Sequence, residues 1–305
     1  MQRRKFLQNI SILSAAASLP LTTNAAAEKK KNKFSIAFIS DIHVKPSEVA
    51  EAGMAKALQN VNQLKPQPDL IINGGDCIMD ALAATKEKTK TQWDLFNKIM
   101  AAENKLPVKY CIGNHDIWAW QLKDADKTDS LYGKNWWLQQ TGNAKTYYSF
   151  TQHNWHFIVL DSVQENNGGY IALLDEEQMN WLENELNNNK EKFVCIVSHI
   201  PIISFCSAMF FNDMLPNGDW KLSRALLHTD ARKIKALFKK YPNIKTCLSG
   251  HIHLQDEVEY LGIKYYCNGA ISGNWWSGAF QDFAPAYALF DFYNDGSVER
   301  KIIEY

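Results

Sequence analysis

The fold is decided by the stretch Val108–Asp116, VKYCIGNHD, which joins a short apolar run to three polar, metal-capable side chains. An apolar run bounded by glycine predicts a buried strand that opens into a loop. An amide oxygen, an imidazole and a carboxylate therefore follow one another at the end of a strand. Taken alone, this pattern is typical of an ordinary turn, so only its repetition along the chain would point to a site.

The same arrangement occurs at four other places in the sequence. In each, an apolar run predicts a strand, and a side chain with a metal-binding nitrogen or oxygen follows it. The carboxyl ends of strands in an open α/β sheet converge on one crevice, so side chains far apart in sequence can meet there. We therefore expect seven donors to lie together: Asp41 and His43 after the run 34–40, Asp76 after 70–73, Asn114 after 108–112, His199 after 193–198, and His251 and His253 after 244–249.

Helical and strand patterns alternate over the first half of the chain. A capping Ser47 predicts a helix over 47–64, and Trp93, Phe96 and Met100 lie on one face of a second helix. With the first three strands these helices form a βαβαβ unit, which requires a parallel, mostly buried sheet. The later patterns predict two antiparallel strands at 146–150 and 155–160, a helix from Asp175, a strand at 193–198, a helix at 229–240, a strand at 244–249, and antiparallel strands at 262–268, 286–293 and 298–303.

Three segments do not follow this alternation of helix and strand patterns, and they contain the candidate substrate contacts. The tryptophan-rich segment 117–145 is either a substrate wall or a surface excursion tied down by its indoles. Segment 202–227 is either a lid or a subunit contact, and the glycine-rich loop 269–278 is either a pocket lining or an aromatic clamp. Among their side chains, those of Trp118, Trp275 and Trp276 are candidates for stacking on a flat or apolar leaving group.

The first 27 residues have the layout of a cleaved export signal, and residues 28–305 are predicted to form one domain. A basic start is followed by an apolar segment over 10–21 and three alanines before Glu28. That apolar segment is shorter than the about 20 residues that a membrane helix needs, so we expect no stable membrane anchor. Residues 2–7, QRRKFL, resemble the twin-arginine export motif, with the general secretory route as the alternative. Either route predicts a periplasmic or extracellular protein.

The amino-acid composition limits which classes of binding partner can be expected. The 33 basic and 33 acidic side chains give no net charge, and there is no basic stripe, so neither nucleic-acid binding nor a nuclease is favoured. The partner expected is instead a small-molecule substrate; the sequence leaves the oligomeric state open. Four of the six cysteines lie inside apolar strand patterns and are predicted to be thiols. Cys77 is predicted to pack beneath the site, and pairing of Cys206 is left open.

The donor set itself indicates the kind of metal. Seven nitrogen and oxygen donors are too many for one tetrahedral zinc ion and too rich in nitrogen for calcium. They suit two divalent transition-metal ions, with Fe, Mn, Zn and Co all compatible. A carboxylate shared between two cations holds them close together, and Asp76, flanked by glycine, is the candidate for that bridge.

The five motifs, in their order along the chain, resemble the blocks of the calcineurin-like metallophosphoesterases. Tyr148–Phe150 and Trp155–Asp161 are further similar to the branch that contains cyclic-nucleotide and glycerophosphodiester phosphodiesterases. The resemblance implies an α/β fold, a four-layer α-β-β-α sandwich of two mixed sheets flanked by helices. It also implies that the first metal is bound by Asp41, His43, Asp76 and His253, and the second by Asp76, Asn114, His199 and His251.

The resemblance implies hydrolysis of a phosphoric ester by a metal-bridging hydroxide that attacks phosphorus in line. His115 and Asp116 are the catalytic candidates: the imidazole would bind a phosphoryl oxygen or protonate the leaving alkoxide, with Asp41 or Asp116 orienting it. A phosphodiesterase is favoured. The alternatives are a phosphomonoesterase of the same fold and, from another class, a non-catalytic metal-binding interaction module.

Some enzyme classes are disfavoured because the sequence lacks residues that their sites require. Met79 occupies the position of the metal-binding tyrosine of purple acid phosphatases, so a tyrosinate-bound ferric centre is not expected. No arginine adjoins the loops, unlike in the phosphoserine protein phosphatases, which place arginines near their metals. A serine hydrolase is excluded because Ser198 and His199 are neighbours on a strand and there is no Gly-x-Ser-x-Gly elbow. A nucleotide-binding P-loop is absent as well.

Overall fold

The computed structural model describes residues 33–211 and 213–305. The predicted export signal, residues 1–27, lies outside the described residues and stays a prediction. The helices are α1 (Glu48–Gln63), α2 (Lys86–Glu103), α3 (Asn135–Thr141), α4 (Glu176–Asn188), α5 (Phe205–Phe210) and α6 (Ala231–Phe238). The strands are β1 (Lys33–Ile39), β2 (Leu70–Asn73), β3 (Val108–Tyr110), β4 (Tyr148–Gln152), β5 (Trp155–Leu160), β6 (Val163–Glu165), β7 (Tyr170–Ala172), β8 (Phe193–Ser198), β9 (Asp213–Met214), β10 (Trp220–Lys221), β11 (Ile244–Ser249), β12 (Gln255–Tyr260), β13 (Ile263–Asn268), β14 (Ala286–Tyr293) and β15 (Val298–Glu304). None of the helices in this part of the chain is long and apolar enough to cross a membrane.

The first sheet has the strand order β15-β14-β1-β2-β3. Strands β1, β2 and β3 run parallel, as the predicted βαβαβ unit requires, while β14 is antiparallel to both of its neighbours. The crossover helices begin where their capping residues are: the hydroxyl of Ser47 accepts the backbone N–H of Ala50, and that of Thr85 accepts the N–H of Lys88. This confirms the βαβαβ prediction.

The second sheet has the strand order β12-β13-β11-β8-β5-β4. Its central strands β5, β8, β11 and β13 are parallel, and the antiparallel strands β4 and β12 form the edges. The three antiparallel strands predicted at the end of the chain do not lie in one sheet, although the first of them, β13, is antiparallel to β12. Strand β13 pairs parallel to β11 in the second sheet, whereas β14 and β15 form a hairpin in the first. Residue alternation predicts strands but does not reveal which sheet each one joins.

The two sheets pack face to face, and successive side chains of β1 point to opposite faces of its sheet. Phe34, Ile36 and Phe38 point inward, where they meet Phe157 of the second sheet in one buried cluster. Ile39 points outward and packs beneath α1 and α2, and the outer face of the second sheet packs beneath α4 and α6. The order helix, sheet, sheet, helix confirms the predicted four-layer sandwich.

The structure describes two of the three segments that the sequence left without a regular pattern, 117–145 and 202–227, as follows. In segment 117–145, the indoles of Trp118, Trp136 and Trp137 are buried in the cluster beneath the first sheet, which favours the tied-down excursion over a substrate wall. Segment 202–227 contains α5 and the two-stranded β9–β10 hairpin, and its role as a lid or an interface stays a prediction. All six cysteines are thiols, including Cys206, and Cys77 is buried.

Candidate metal centre

The loops that follow β1, β2, β3, β8 and β11 meet at one edge of the sandwich. The first two run side by side, because the backbone N–H groups of Asp41 and His43 donate to the carbonyl oxygens of Gly75 and Asp76, at 3.0 Å each. The loop after β3 joins them through the N–H of His115, which donates to Asp76 Oδ1 at 2.8 Å. Backbone hydrogen bonds therefore fix where the side chains stand before any metal is considered.

Five of the seven predicted donors have a left-handed backbone, which is costly for any residue other than glycine. These are Asp41, His43, Asp76, His251 and His253, with φ between 47° and 71°. Such a conformation costs roughly 1–3 kcal/mol per residue and persists only where the surroundings impose it. Its concentration at these residues indicates a functional site, because it turns each side chain toward a common centre at the expense of stability.

Two glycines are required by the close approach of these loops. A Cβ atom on Gly113 would collide with the backbone and carboxylate of Asp76, and one on Gly250 would collide with Ser40 and the carboxylate of Asp41. Neither position has space for a side chain. The glycine in each motif thus lets a neighbouring loop lie directly against a donor carboxylate.

The first donor group consists of Asp41, His43 and His253, all buried. Nε2 of His43 lies 3.0 Å from Nε2 of His253 and 4.0 Å from Asp41 Oδ1, and His253 Nε2 lies 3.5 Å from the same oxygen. Oδ2 of Asp76 is 3.6 Å from His43 Nε2. These are distances at which one cation can contact all four side chains.

The second donor group consists of Asp76, His199 and His251, with Asn114 beside them. Nε2 of His199 lies 3.2 Å from Asp76 Oδ2, 3.2 Å from Asn114 Oδ1 and 3.3 Å from Nδ1 of His251. Asp76 Oδ2 thus faces both groups. The structure brings all seven predicted donors together, and it places Asp76 between the two groups, where the sequence predicted a shared carboxylate.

Backbone carbonyls determine which nitrogen of each imidazole is left for a metal. Nδ1 of His199 lies 2.8 Å from the Gly74 carbonyl oxygen, Nδ1 of His253 lies 2.6 Å from that of Gly273, and Nε2 of His251 lies 2.9 Å from that of Ala225. Each of these nitrogens donates to its carbonyl, so the other nitrogen points into the centre. Lone pairs of nitrogen and carboxylate oxygen therefore face one another, an arrangement that a cation stabilises. The residues present fit divalent metal ions.

The pKa shifts of the donor side chains also favour a bound cation. Burial opposes a charge on His199, but Asp76 and Asp41 outweigh burial and raise its pKa to about 9. Burial, followed by the charge on His199, lowers the pKa of His251 to about 3. Burial also opposes the charge on Asp76, yet His199 and His115 hold its pKa well below the usual range. A proton on His199 balances the carboxylates, and a bound cation would take over that role.

The profile of the calcineurin-like phosphoesterase family matches residues 34–255, a range that includes all seven donors. The chain belongs to the calcineurin-like phosphoesterase family. Membership makes it a phosphoesterase that uses divalent metal ions, in agreement with the predicted enzyme class.

Individual relatives are similar over most of this phosphoesterase. This chain is 28% identical to a 3',5'-cyclic-nucleotide phosphodiesterase of Nostoc sp. over 287 residues, and the alignment covers 90% of this chain and 93% of that protein. It is 23% identical over 275 residues to a 3',5'-cyclic adenosine monophosphate phosphodiesterase of Haemophilus influenzae, covering 87% of each. The crystal structure of a dimetal phosphatase from Danio rerio superposes with a TM-score of 0.63 at 15% identity and covers 89% of this chain and 99% of that one. At that identity the similarity supports the fold alone.

The catalytic candidates of the phosphoesterase differ in their placement. His115 lines the cleft, with its side chain 28% exposed, and its Nδ1 lies 3.8 Å from Oδ1 of Asp80. Asp41 or Asp116 was predicted to orient this imidazole, whereas the structure places Asp80 beside it. Asp80 was missed because it follows the motif of Asp76 by four positions, where no strand end marks it.

Asp116 holds the loops rather than the imidazole. Its two carboxylate oxygens accept the backbone N–H groups of Gly113, Asp76 and Cys77 at 2.8–3.0 Å, and the side chain is buried. Burial, with the charge of Asp76 next, raises its pKa to about 7. Both oxygens are thus engaged with the backbone and Asp80 is the carboxylate beside the ring, so the role of Asp116 in orienting His115 stays a prediction.

The cleft over the donors, about 170 Å³ in volume, has an aromatic and apolar rim. The indole of Trp275 lies 4.4 Å from the ring of His253 and 5.5 Å from that of Phe280, measured between ring centroids. Of the three predicted tryptophans, Trp275 alone lines the cleft. The remaining rim side chains, which the sequence analysis did not identify, are Tyr170, Phe211, Leu226 and Phe280.

The indoles of the other two tryptophans, Trp118 and Trp276, hydrogen-bond to backbone carbonyls of neighbouring segments. The indole N–H of Trp118 donates to the Ala84 carbonyl and the ring is buried, so its prediction as a substrate contact was wrong. The indole N–H of Trp276 donates to the carbonyl oxygen of His43, and its ring lies against Gly53. Trp276 thus anchors loop 269–278 to the loop of a metal donor. It does not line the cleft, and its contact with substrate stays a prediction.

Proposed function

We propose that this phosphoesterase hydrolyses a small phosphodiester with two divalent transition-metal ions, one in each donor group. The observation that carries the proposal is the position of Asp76, whose Oδ2 faces donors of both groups at 3.2–3.6 Å. When bound, two such ions lower the pKa of coordinated water and neutralise phosphoryl oxygens. Imidazole and carboxylate donors are compatible with Fe, Mn, Zn and Co.

The charge of the cleft supports a diester over a monoester. No lysine or arginine is among the described side chains that line it. A phosphomonoester carries a charge of about −1.5 to −2 at pH 7, whereas a diester carries a single charge. Arginine is the side chain most suited to bidentate contacts with phosphate, and this cleft offers none. The names of the Nostoc and Haemophilus relatives, both phosphodiesterases, agree with this proposal.

Side chains of the cleft can position the reacting groups and provide a proton. Asn114 and the histidines hold the centre, and His115 faces the cleft, where its imidazole can give a proton to the departing oxygen. Asp80 lies at ion-pair distance from that imidazole, so its carboxylate can pair with the ring while the ring carries the proton. The aromatic side chains of the rim offer apolar contacts to the rest of the ester.

The proposal is tested by hydrolysis of two chromogenic esters. With Mn²⁺, kcat/KM for bis(p-nitrophenyl) phosphate is expected to exceed that for p-nitrophenyl phosphate by roughly tenfold, the equivalent of one charge-assisted hydrogen bond missing for the second charge. Chelation should abolish both activities. A preference for the monoester would contradict the diester assignment, and activity that survives complete metal removal would contradict the metal mechanism.

Trp275 is expected to contribute to specificity for ring-bearing esters. Trp275→Ala should raise KM for bis(p-nitrophenyl) phosphate about 3–10-fold, because one aromatic contact contributes roughly 0.5–1.5 kcal/mol. KM for methyl p-nitrophenyl phosphate, which has the same leaving group but no second ring, should change less than about twofold. Trp275→Phe should restore most of the difference. Trp220→Ala, at an exposed tryptophan in the β9–β10 hairpin, is the control. Equal effects on both esters would show that Trp275 does not contact the second ring of the diester.

A further inference from the structure

The segment that leads from the β9–β10 hairpin back to α6, residues 224–230, contacts the second donor group from outside the strand-end loops. We call it the return limb. Its Ala225 carbonyl oxygen lies 2.9 Å from Nε2 of His251 and so leaves Nδ1 free for a metal. The corresponding carbonyls for His199 and His253 belong to Gly74 and Gly273, in loops that are hydrogen-bonded directly to the sheets. Of these three histidines, only His251 depends on the return limb.

The return limb is held by backbone hydrogen bonds and by a buried imidazole. The Arg224 carbonyl accepts the N–H of Ala172 at 3.2 Å, and the N–H of His228 donates to the Pro201 carbonyl at 3.1 Å. His228 is 4% exposed, with Nε2 3.1 Å from the hydroxyl oxygen of Ser198 and Nδ1 3.0 Å from Asp230 Oδ1. Ser198 directly precedes His199, a donor of the same group. The other oxygen of Asp230 accepts the backbone N–H of Leu174 at 2.9 Å. One side chain thus joins the return limb to the strand that delivers His199.

This hydroxyl, imidazole and carboxylate are arranged like a catalytic triad, but the surroundings give them another role. Ser198 is 2% exposed, and its hydroxyl donates to the Ile200 carbonyl at 2.8 Å. A nucleophile needs an accessible oxygen, and this one has neither access nor a free proton. The chain of hydrogen bonds therefore fixes positions and does not react with substrate.

We propose that His228 is a positioning residue for the second metal ion, acting through the return limb on His251 and through Ser198 on His199. The inference rests on the proposed two-ion function. Without the His228 imidazole, the return limb keeps its backbone hydrogen bonds to Ala172 and Pro201 but loses its link to Ser198. The Ala225 carbonyl then holds His251 less firmly, and the segment beside His199 loosens. The first donor group has no contact with His228, so the first ion should stay bound as before.

The test is His228→Leu, which removes both side-chain hydrogen bonds at similar volume. Loss of such a partner of a metal-binding histidine typically weakens metal binding about 10–100-fold. We expect that weakening for the second Mn²⁺ ion only, measured by calorimetric titration of metal-free protein and by loss of the magnetically coupled Mn²⁺ pair in electron paramagnetic resonance. His228→Gln, which retains a donor for Ser198, should lie between wild type and His228→Leu.

A matched control exists in the second sheet. His156 is also 4% exposed and also bridges a hydroxyl and a carboxylate, at 3.2 Å from Thr151 Oγ1 and 2.9 Å from Glu185 Oε2. It contacts none of the donors. His156→Leu should therefore lower stability as His228→Leu does but leave both Mn²⁺ ions bound.

The outcomes separate this inference from the proposed function. If the wild type binds fewer than two Mn²⁺ ions, the proposed function fails and this inference fails with it. If the wild type binds two ions and His228→Leu binds both as tightly, or weakens both equally, only the inference fails. The same holds if His156→Leu weakens the second ion as strongly. Binding of the first ion shows that a variant is folded; where His228→Leu does not bind it, His228→Gln decides by the same criteria.

Discussion

Asp76→Asn is expected to abolish hydrolysis and to weaken both metal positions at once. Oδ2 of Asp76 lies 3.6 Å from His43 Nε2 and 3.2 Å from His199 Nε2, so the change removes a negative charge that both donor groups share. Asparagine preserves the shape of the side chain but not the charge that balances the cations. We expect kcat/KM for bis(p-nitrophenyl) phosphate to fall at least about 10⁴-fold, since enzymes accelerate their reactions by 10⁶-fold or more and the proposed mechanism depends on both metal ions.

The measurement combines kinetics with metal content by atomic emission. Asp161→Asn is the matched control, because Asp161 is also a buried carboxylate, 2% exposed, but is paired with Lys134 at 2.6 Å and lies outside the donor groups. It should lose stability without losing metal. If Asp76→Asn kept both ions and a tenth of the wild-type activity, the shared carboxylate would be the wrong assignment.

The donors could be predicted from the sequence because their positions follow from a simple rule. Each stands directly after a strand, and the carboxyl ends of neighbouring parallel strands lie at one edge of a sheet. Asp41 and His253 are more than two hundred residues apart and follow strands of different sheets, so the packing of the two sheets is also needed to bring them together. The crossover helices were predictable for a similar reason, since local periodicity and capping determine them.

Other features depend on contacts between loops, which no local pattern reveals. Ala225 acts through a backbone carbonyl, which every residue has, so the sequence contains no signal for it. Asp116 has the residue type of a catalytic carboxylate, but its oxygens accept backbone N–H groups from other loops. Phe211 and Phe280 are ordinary apolar residues until their loops meet over the cleft, where their rings stack at 6.1 Å. Pairing of β13 likewise depended on the other sheet strands and not on its own alternation.

His115→Ala is expected to lower turnover strongly while both metal ions stay bound. His115 lines the cleft beside the donors, and one of its nitrogens lies within 4.8 Å of ligand atoms of His43 and Asp76, so its position alone would also allow a role as a metal ligand. The two roles predict different results. A proton donor contributes about 10²–10⁴-fold to turnover and leaves metal content unchanged, whereas loss of a ligand lowers metal content first.

The leaving group provides the sharper distinction. A proton from His115 matters most when the departing oxygen is strongly basic, so a methyl or other alkyl leaving group should show the full loss of about 10²–10⁴-fold. p-Nitrophenolate departs without a proton, and its release should fall less than about tenfold. Asp80→Asn should reproduce this dependence more weakly, because Asp80 is the carboxylate beside the imidazole, 3.8 Å away, and does not itself transfer the proton. Equal losses for alkyl and nitrophenyl leaving groups would contradict proton donation, because they would mean that His115 binds the phosphoryl oxygen, which both esters share.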